Sequence, residues 1–165
     1  MVQQIGTPSP ASGGFNPVPT GRLHHNDVQV IPQGVPTIIT LDVISNGVSG
    51  GYDYGNHFND GIEDTVNHWI KPEVEGWYQV NAQVRVFIEA GDVFTFQLFR
   101  GPGSIAAKTT GQSETTKSLH ISDIVWMSVV DYVLLKAYHT AATACSITGS
   151  PGRYDSTFMS VQRVR

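Results

Sequence analysis

A single cysteine, Cys145, stands in 165 residues, so the chain holds no internal disulfide framework. Set in Ala-Thr-Ala-Cys-Ser-Ile, it is expected to be a small buried hydrophobe. Charge is scarce as well. Ten basic and fourteen acidic residues make up 15% of the chain and leave a net charge of −4. The basic residues are scattered, with no cluster beyond Arg163 and Arg165, which argues against nucleic acid and against an anionic membrane surface as partners. No apolar run approaches the roughly 18 residues of a spanning helix, so no membrane insertion is expected. The start, Met-Val-Gln-Gln-Ile-Gly-Thr-Pro, has neither the basic nor the apolar region of a signal peptide, and synthesis in a reducing cytoplasm is the expectation. No stretch keeps a helical period over three turns, and no internal repeat is visible.

The chemistry-bearing patterns are also missing. There is no Gly-x-Ser-x-Gly elbow, phosphate loop or dinucleotide fingerprint, and Cys145 has no base beside it in sequence. His24 and His25 are adjacent, so on an extended chain they point to opposite sides, which suits hydrogen bonding better than a shared metal. His57, His68, His120 and His139 lack ligand spacing and read as polar-face strand residues. Residues 56–64 resemble a calcium loop superficially, but Phe58 stands where an oxygen ligand is needed. Asp53, Asp60 and Asp64 read as a solvated acidic loop. No catalytic residue, metal or cofactor is expected.

Seventeen glycines and nine prolines are present, and they punctuate short β-type runs. Strands are expected over 28–31, 37–43, 65–70, 77–87, 93–100, 119–128, 132–139 and 156–164, with polar loops over 45–64 and 109–116. The clearest run alternates strictly: Tyr78, Val80, Ala82, Val84 and Val86 on one side, Trp77, Gln79, Asn81, Gln83 and Arg85 on the other. Eight to ten short strands at this spacing make an all-β sandwich or barrel. Residues 1–27 differ. They are rich in proline and glycine and poor in apolar pattern, so they read as an extended arm that orders only against a partner. The head domain is expected over 28–165.

Several motifs occur in an order that resembles the globular heads of the complement component 1q and tumour necrosis factor family. Asn46-Gly47 and Tyr52-Asp53 precede the core, and Pro72, Gly76 and Tyr78 form a turn into the long strand. Val130-Asp131-Tyr132-Val133 starts a later strand and Thr157-Phe158 the final one. The family's glycine before Asp131 is replaced by Val130, and no collagen repeat precedes the head. The resemblance implies a ten-stranded jelly-roll sandwich that assembles as a homotrimer.

The sequence carries its own hint of a subunit contact. Tyr132, Leu134 and Tyr138 would lie on the face of the 132–139 strand away from its core residues, and with Phe158 they are the expected trimer interface. Trp69, Trp77 and Trp126 read as interface fillers before sugar platforms. An arm offering Ile5, Phe15 and Val18, on a head without an export signal, suggests a virion structural protein of a bacteriophage: a capsid-decoration, head-fibre or tail-fibre component bound to a capsid or tail protein. The alternative is a receptor- or glycan-binding fibre head using a loop with Tyr52, Tyr54, His57 and Trp69.

Overall fold

The computed structural model describes residues 20–44, 63–88, 92–101, 103–111, 115–143, 145–149 and 157–164. Thirteen strands run through them: β1 (Thr20–His24), β2 (Val28–Ile31), β3 (Thr37–Ile38), β4 (Val43–Ile44), β5 (Glu63–Asp64), β6 (Trp69–Ile70), β7 (Gly76–Ile88), β8 (Val93–Arg100), β9 (Gly103–Gly111), β10 (Thr115–Met127), β11 (Val133–His139), β12 (Cys145–Thr148) and β13 (Phe158–Arg163). All pairings are antiparallel, and they build two packed sheets, the expected all-β jelly-roll sandwich.

Sheet A centres on β7, which pairs with β10 over the full length from Gly76↔Met127 to Ile88↔Thr115. Its other edge is shared. β13 takes residues 78–83 and leads on to β1 and β4, while β12 takes Val86 and Phe87 and leads on to β2. Sheet B is built the same way around β11. β8 lies on one side of it with β9 beyond, and the other edge is divided between β6 and β3.

The alternation read in 77–87 is what the sandwich uses. Tyr78, Val80, Ala82, Val84 and Val86 face inward and meet Phe94, Phe96 and Leu98 of β8 and Val133, Leu135 and Ala137 of β11 in one core. Burial of one apolar face of each sheet is the main force holding the layers together. The proline–glycine–tyrosine turn has a physical purpose too. Pro72 is buried, the Tyr78 hydroxyl donates back to the Val74 carbonyl, and Gly76 adopts φ +157°. A Cβ there would stand 2.8 Å from Arg163 Nε, whose guanidinium donates to the Glu75 carbonyl at 2.9 Å.

Several expectations change. The run 37–43 is two short bridges, β3 and β4, because Ile39 and Leu41 plunge fully buried into the core from the irregular chain between them. Residues 65–68 are a turn, not strand, and of the expected loop 109–116 the described residues 109–111 and 115–116 are strand, paired to β8 and β7. The segment Thr20–His24, placed in the arm on sequence, is a strand of sheet A, since Leu23 is fully buried and β13 supplies its hydrogen-bond partner. The arm residues Ile5, Phe15 and Val18 lie outside the described residues. His139, read as a polar-face residue, is fully buried on the core face of β11, its Nε2 2.6 Å from the Ile31 carbonyl. Cys145 is buried, as expected.

Candidate functional site

The outer face of sheet A comes from two long paired strands and their neighbours. Register places Trp126 opposite Trp77, Ile124 opposite Gln79, Ser122 opposite Asn81 and His120 opposite Gln83, and β13 adds Gln162, Ser160 and Phe158 on the far side of β7. Ser122 Oγ donates to Asn81 Oδ1 at 2.8 Å. Across the outward positions of β7, β10 and β13 and the described outward side chains of β1, the charged residues are Arg22 and Arg85, and no carboxylate occurs. Asp123, the carboxylate of β10, falls at an inward position. The Arg22 guanidinium lies 4.1 Å from the centre of the Phe158 ring. Large apolar side chains are left in the open here: Trp77 is 53% exposed, Ile124 56% and Trp126 42%. A sheet face with amides, hydroxyls and bare tryptophans and almost no charge matches a protein contact better than bulk water.

The four residues expected at a trimer contact do not form one patch. Tyr132, Leu134 and Tyr138 share the outer side of sheet B, and Phe158 sits on the outer side of sheet A, across the sandwich. Leu134 is buried, and Tyr132 and Tyr138 are half-buried. Trp69 is registered opposite Leu134, and its ring lies 4.4 Å from that of Tyr132. One residue of the expected ligand loop therefore packs on one residue of the expected interface. Tyr52, Tyr54 and His57 of that loop lie outside the described residues. Lys136 covers the Phe99 ring at 4.3 Å, which completes a small aromatic group on this side.

Asp64, read in an acidic loop, caps the turn before β6. Its carboxylate accepts from the backbone N–H groups of Val66 and Asn67 at 2.9 and 2.7 Å and from the Asn67 amide at 2.7 Å, bonds that lower its pKa. Asp131 has the same task in the turn before β11, accepting from the Ser128 backbone N–H and hydroxyl at 2.8 Å, which lowers its pKa too. Among the described residues no group of three or more His, Cys, Asp or Glu side chains is placed to hold a metal ion.

His24 and His25 are the buried polar pair of the sheet A rim, and adjacency does send them to different surroundings. The Thr40 hydroxyl lies 3.2 Å from Gln29 Oε1 and 3.3 Å from His25 Nδ1. Donation by that hydroxyl to Gln29 leaves it to accept from His25, which assigns the proton of His25 to Nδ1. Nε2 is then a buried lone pair with no hydrogen-bond partner. Burial lowers the pKa of both histidines, against the pull of Asp42, whose Oδ1 stands 3.9 Å from His25 Nδ1. His68, in the turn before β6, holds φ +59° and contacts the Leu41 carbonyl through Nδ1 at 3.2 Å. Sequence reasoning missed this rim because its parts come from residues 24–29, 38–42 and 65–68.

No family model and no curated protein matches the chain. Among solved structures the chain is similar to Eiger TNF from S. frugiperda, with a TM-score of 0.62 at 11% identity, over 90% of this chain and 94% of that one. At that identity the likeness concerns the fold, and it agrees with the two antiparallel sheets described above: this chain has a jelly roll of the tumour necrosis factor and complement 1q type.

Proposed function

We propose that this protein is a non-enzymatic structural component of a bacteriophage virion, a capsid-decoration, head-fibre or tail-fibre protein, that forms a homotrimer and attaches to a capsid or tail protein through its N-terminal segment. The observation that carries the assembly is the nearly uncharged outer face of sheet A. Of the residues expected at the trimer contact, Phe158 belongs to that face. Tyr132, Leu134 and Tyr138 are largely used within the subunit. Trimerisation multiplies three weak arm contacts by effective concentration, which suits a segment with little apolar surface of its own.

Ser160 lies near the middle of the face, with its hydroxyl on the Asn81 carbonyl at 3.4 Å. Ser160→Glu places a carboxylate there and is expected to convert trimer to monomer in light scattering while the β-sheet circular dichroism stays unchanged. A variant that stays trimeric removes sheet A from the contact.

Attachment is tested by pull-down from source lysate, with the whole chain beside one starting at Thr20, so that β1 is kept. Recovery of a capsid or tail protein by the whole chain alone is the expected result. A second reading, a receptor- or glycan-binding head, draws on the Trp69–Tyr132 pair. If both chains recover the same host protein or glycan, and Trp69→Ala abolishes recovery, that reading replaces the first.

A further inference from the structure

The turn before β6 is held at several points, and all of them bear on one indole. The Asp64 carboxylate accepts from the Val66 and Asn67 N–H groups and from the Trp69 side chain. His68, at φ +59°, takes a left-handed conformation that a side chain keeps only where its surroundings hold it, here with Nδ1 on the Leu41 carbonyl. Trp69 follows directly and lies against Tyr132, with ring centres 4.4 Å apart and planes 35° from parallel. Tyr132 is fixed in turn, since the Gly101 N–H donates to its carbonyl at 2.9 Å.

Around this pair the outer face of sheet B is aromatic and carries little charge. Trp69, Leu134 and Phe99 form one row across β6, β11 and β8, and the next row holds Lys136 and Gln97. Among the outward positions of those three strands Lys136 is the one charged residue, and it lies over the Phe99 ring at 4.3 Å. Asp64, beside Trp69 on β5, has its oxygens occupied by the turn. Two strand spacings, about 10 Å, separate the ends of the aromatic row, which is the scale of a disaccharide. Protein contacts are anchored by large apolar side chains that lose their water on docking, as Trp77 and Trp126 of sheet A are placed to do. Trp69, Tyr132 and Phe99 are instead half-buried, packed within the face and bordered by an amide. That arrangement matches a sugar ring, whose C–H face stacks on an aromatic ring while its hydroxyls hydrogen-bond at the edge.

We infer that Trp69 and Tyr132, with Phe99 and Gln97 beside them, form a site for a neutral oligosaccharide, one pyranose ring stacking on the indole and the next unit reaching Phe99 and Gln97. The inference rests on the second reading above, a head that binds a receptor or glycan, and names the chemistry of its ligand. A neutral chain is specified because both nearby charges are already engaged, Asp64 by turn N–H groups and Lys136 by the Phe99 ring. Rings fixed before contact lose little freedom on binding. Three copies of the site on the homotrimer proposed above add multivalency to a contact that is weak singly.

The test is an array of defined oligosaccharides, neutral hexose and N-acetylhexosamine chains beside uronic-acid and sialic-acid chains. It is probed with the whole chain and with Trp69→Ala, Trp69→Phe and Tyr132→Ala, each checked by circular dichroism and light scattering. The whole chain is expected to bind neutral members. Binding should fall about tenfold in Trp69→Ala and Tyr132→Ala, and about threefold in Trp69→Phe, which keeps a ring and loses the bond to Asp64. If Trp69→Ala does not fold, the other two variants carry the comparison. Failure to bind any neutral member overturns the inference, and so does binding confined to acidic members or equal in all folded variants. A silent array together with Trp69-dependent recovery of a host protein from lysate overturns the sugar site alone and leaves the receptor reading standing.

Discussion

Thr157→Val is expected to lower the free energy of unfolding by about 2–4 kcal/mol, read as a fall in the urea midpoint. Thr157 is fully buried where β7 passes from one edge partner to the next. β13 pairs with β7 as far as Gln83, and β12 takes over at Val86. In the gap the Thr157 hydroxyl stands in for a strand. It accepts from the Arg85 backbone N–H at 3.0 Å and donates to the Thr148 carbonyl at 3.1 Å. The Thr157 carbonyl meanwhile accepts from the His25 N–H at 2.9 Å, tying the end of β1 to the same point. Valine keeps the shape and removes both hydroxyl bonds, which strands a backbone donor and a backbone acceptor. Thr157→Ser keeps the bonds and gives up one methyl, so its cost should stay near about 1 kcal/mol. Equal losses for the two variants would show that packing, and not the hydroxyl, holds the junction.

Acid should weaken the fold well above the range in which carboxylates titrate. His24 and His25 are held neutral by burial, with folded pKa values below the ordinary 6.5. Between that value and the folded ones, the unfolded chain binds protons that the folded chain refuses. Their contribution to stability is therefore fully present above pH 6.5 and is lost as the pH falls from there through the folded pKa values. For His25 the obstacle is specific: protonation puts a hydrogen on Nε2, which has no acceptor. Arg22 adds to the resistance at His24, and His68 at His25, while Asp42 favours the charged form of both and Asp27 that of His25. Urea midpoints should fall between about pH 7.5 and about pH 5.5, and His25→Asn should flatten that dependence whatever its own stability. A midpoint that does not move between those pH values would refute the account. Asp64 and Asp131, stabilised as carboxylates by turn N–H groups, act in a separate window below 3.8.

Local sequence was informative wherever side-chain period alone decides the outcome. The alternation in 77–87 suffices to assign its inside and outside, since a strand between core and outer face must alternate. The strands 28–31 and 93–100 were legible to the residue for the same reason, and the buried Cys145 followed from its small neighbours. Thr20–His24 and Gly103–Gly111 were not legible. Their residues have weak β preference, and their conformation comes from β13 and β8, which supply the pairing partners.

The site follows the same division. That Tyr132, Leu134 and Tyr138 share one side of a strand was written in their spacing, and so was the outward direction of Trp77. Which sheet each strand joins depends on long-range pairing, and only the tertiary structure separated Phe158 from the tyrosines and put Trp126 beside Trp77. The histidine rim has the same origin, since burial and the orphaned Nε2 are properties of three segments brought together. By itself, then, the sequence determined the all-β class, the core face of the long strand and its turn. The tertiary structure decided which outward residues form one surface, because a strand's own pattern sets the side to which a residue points but not the neighbour that stands beside it.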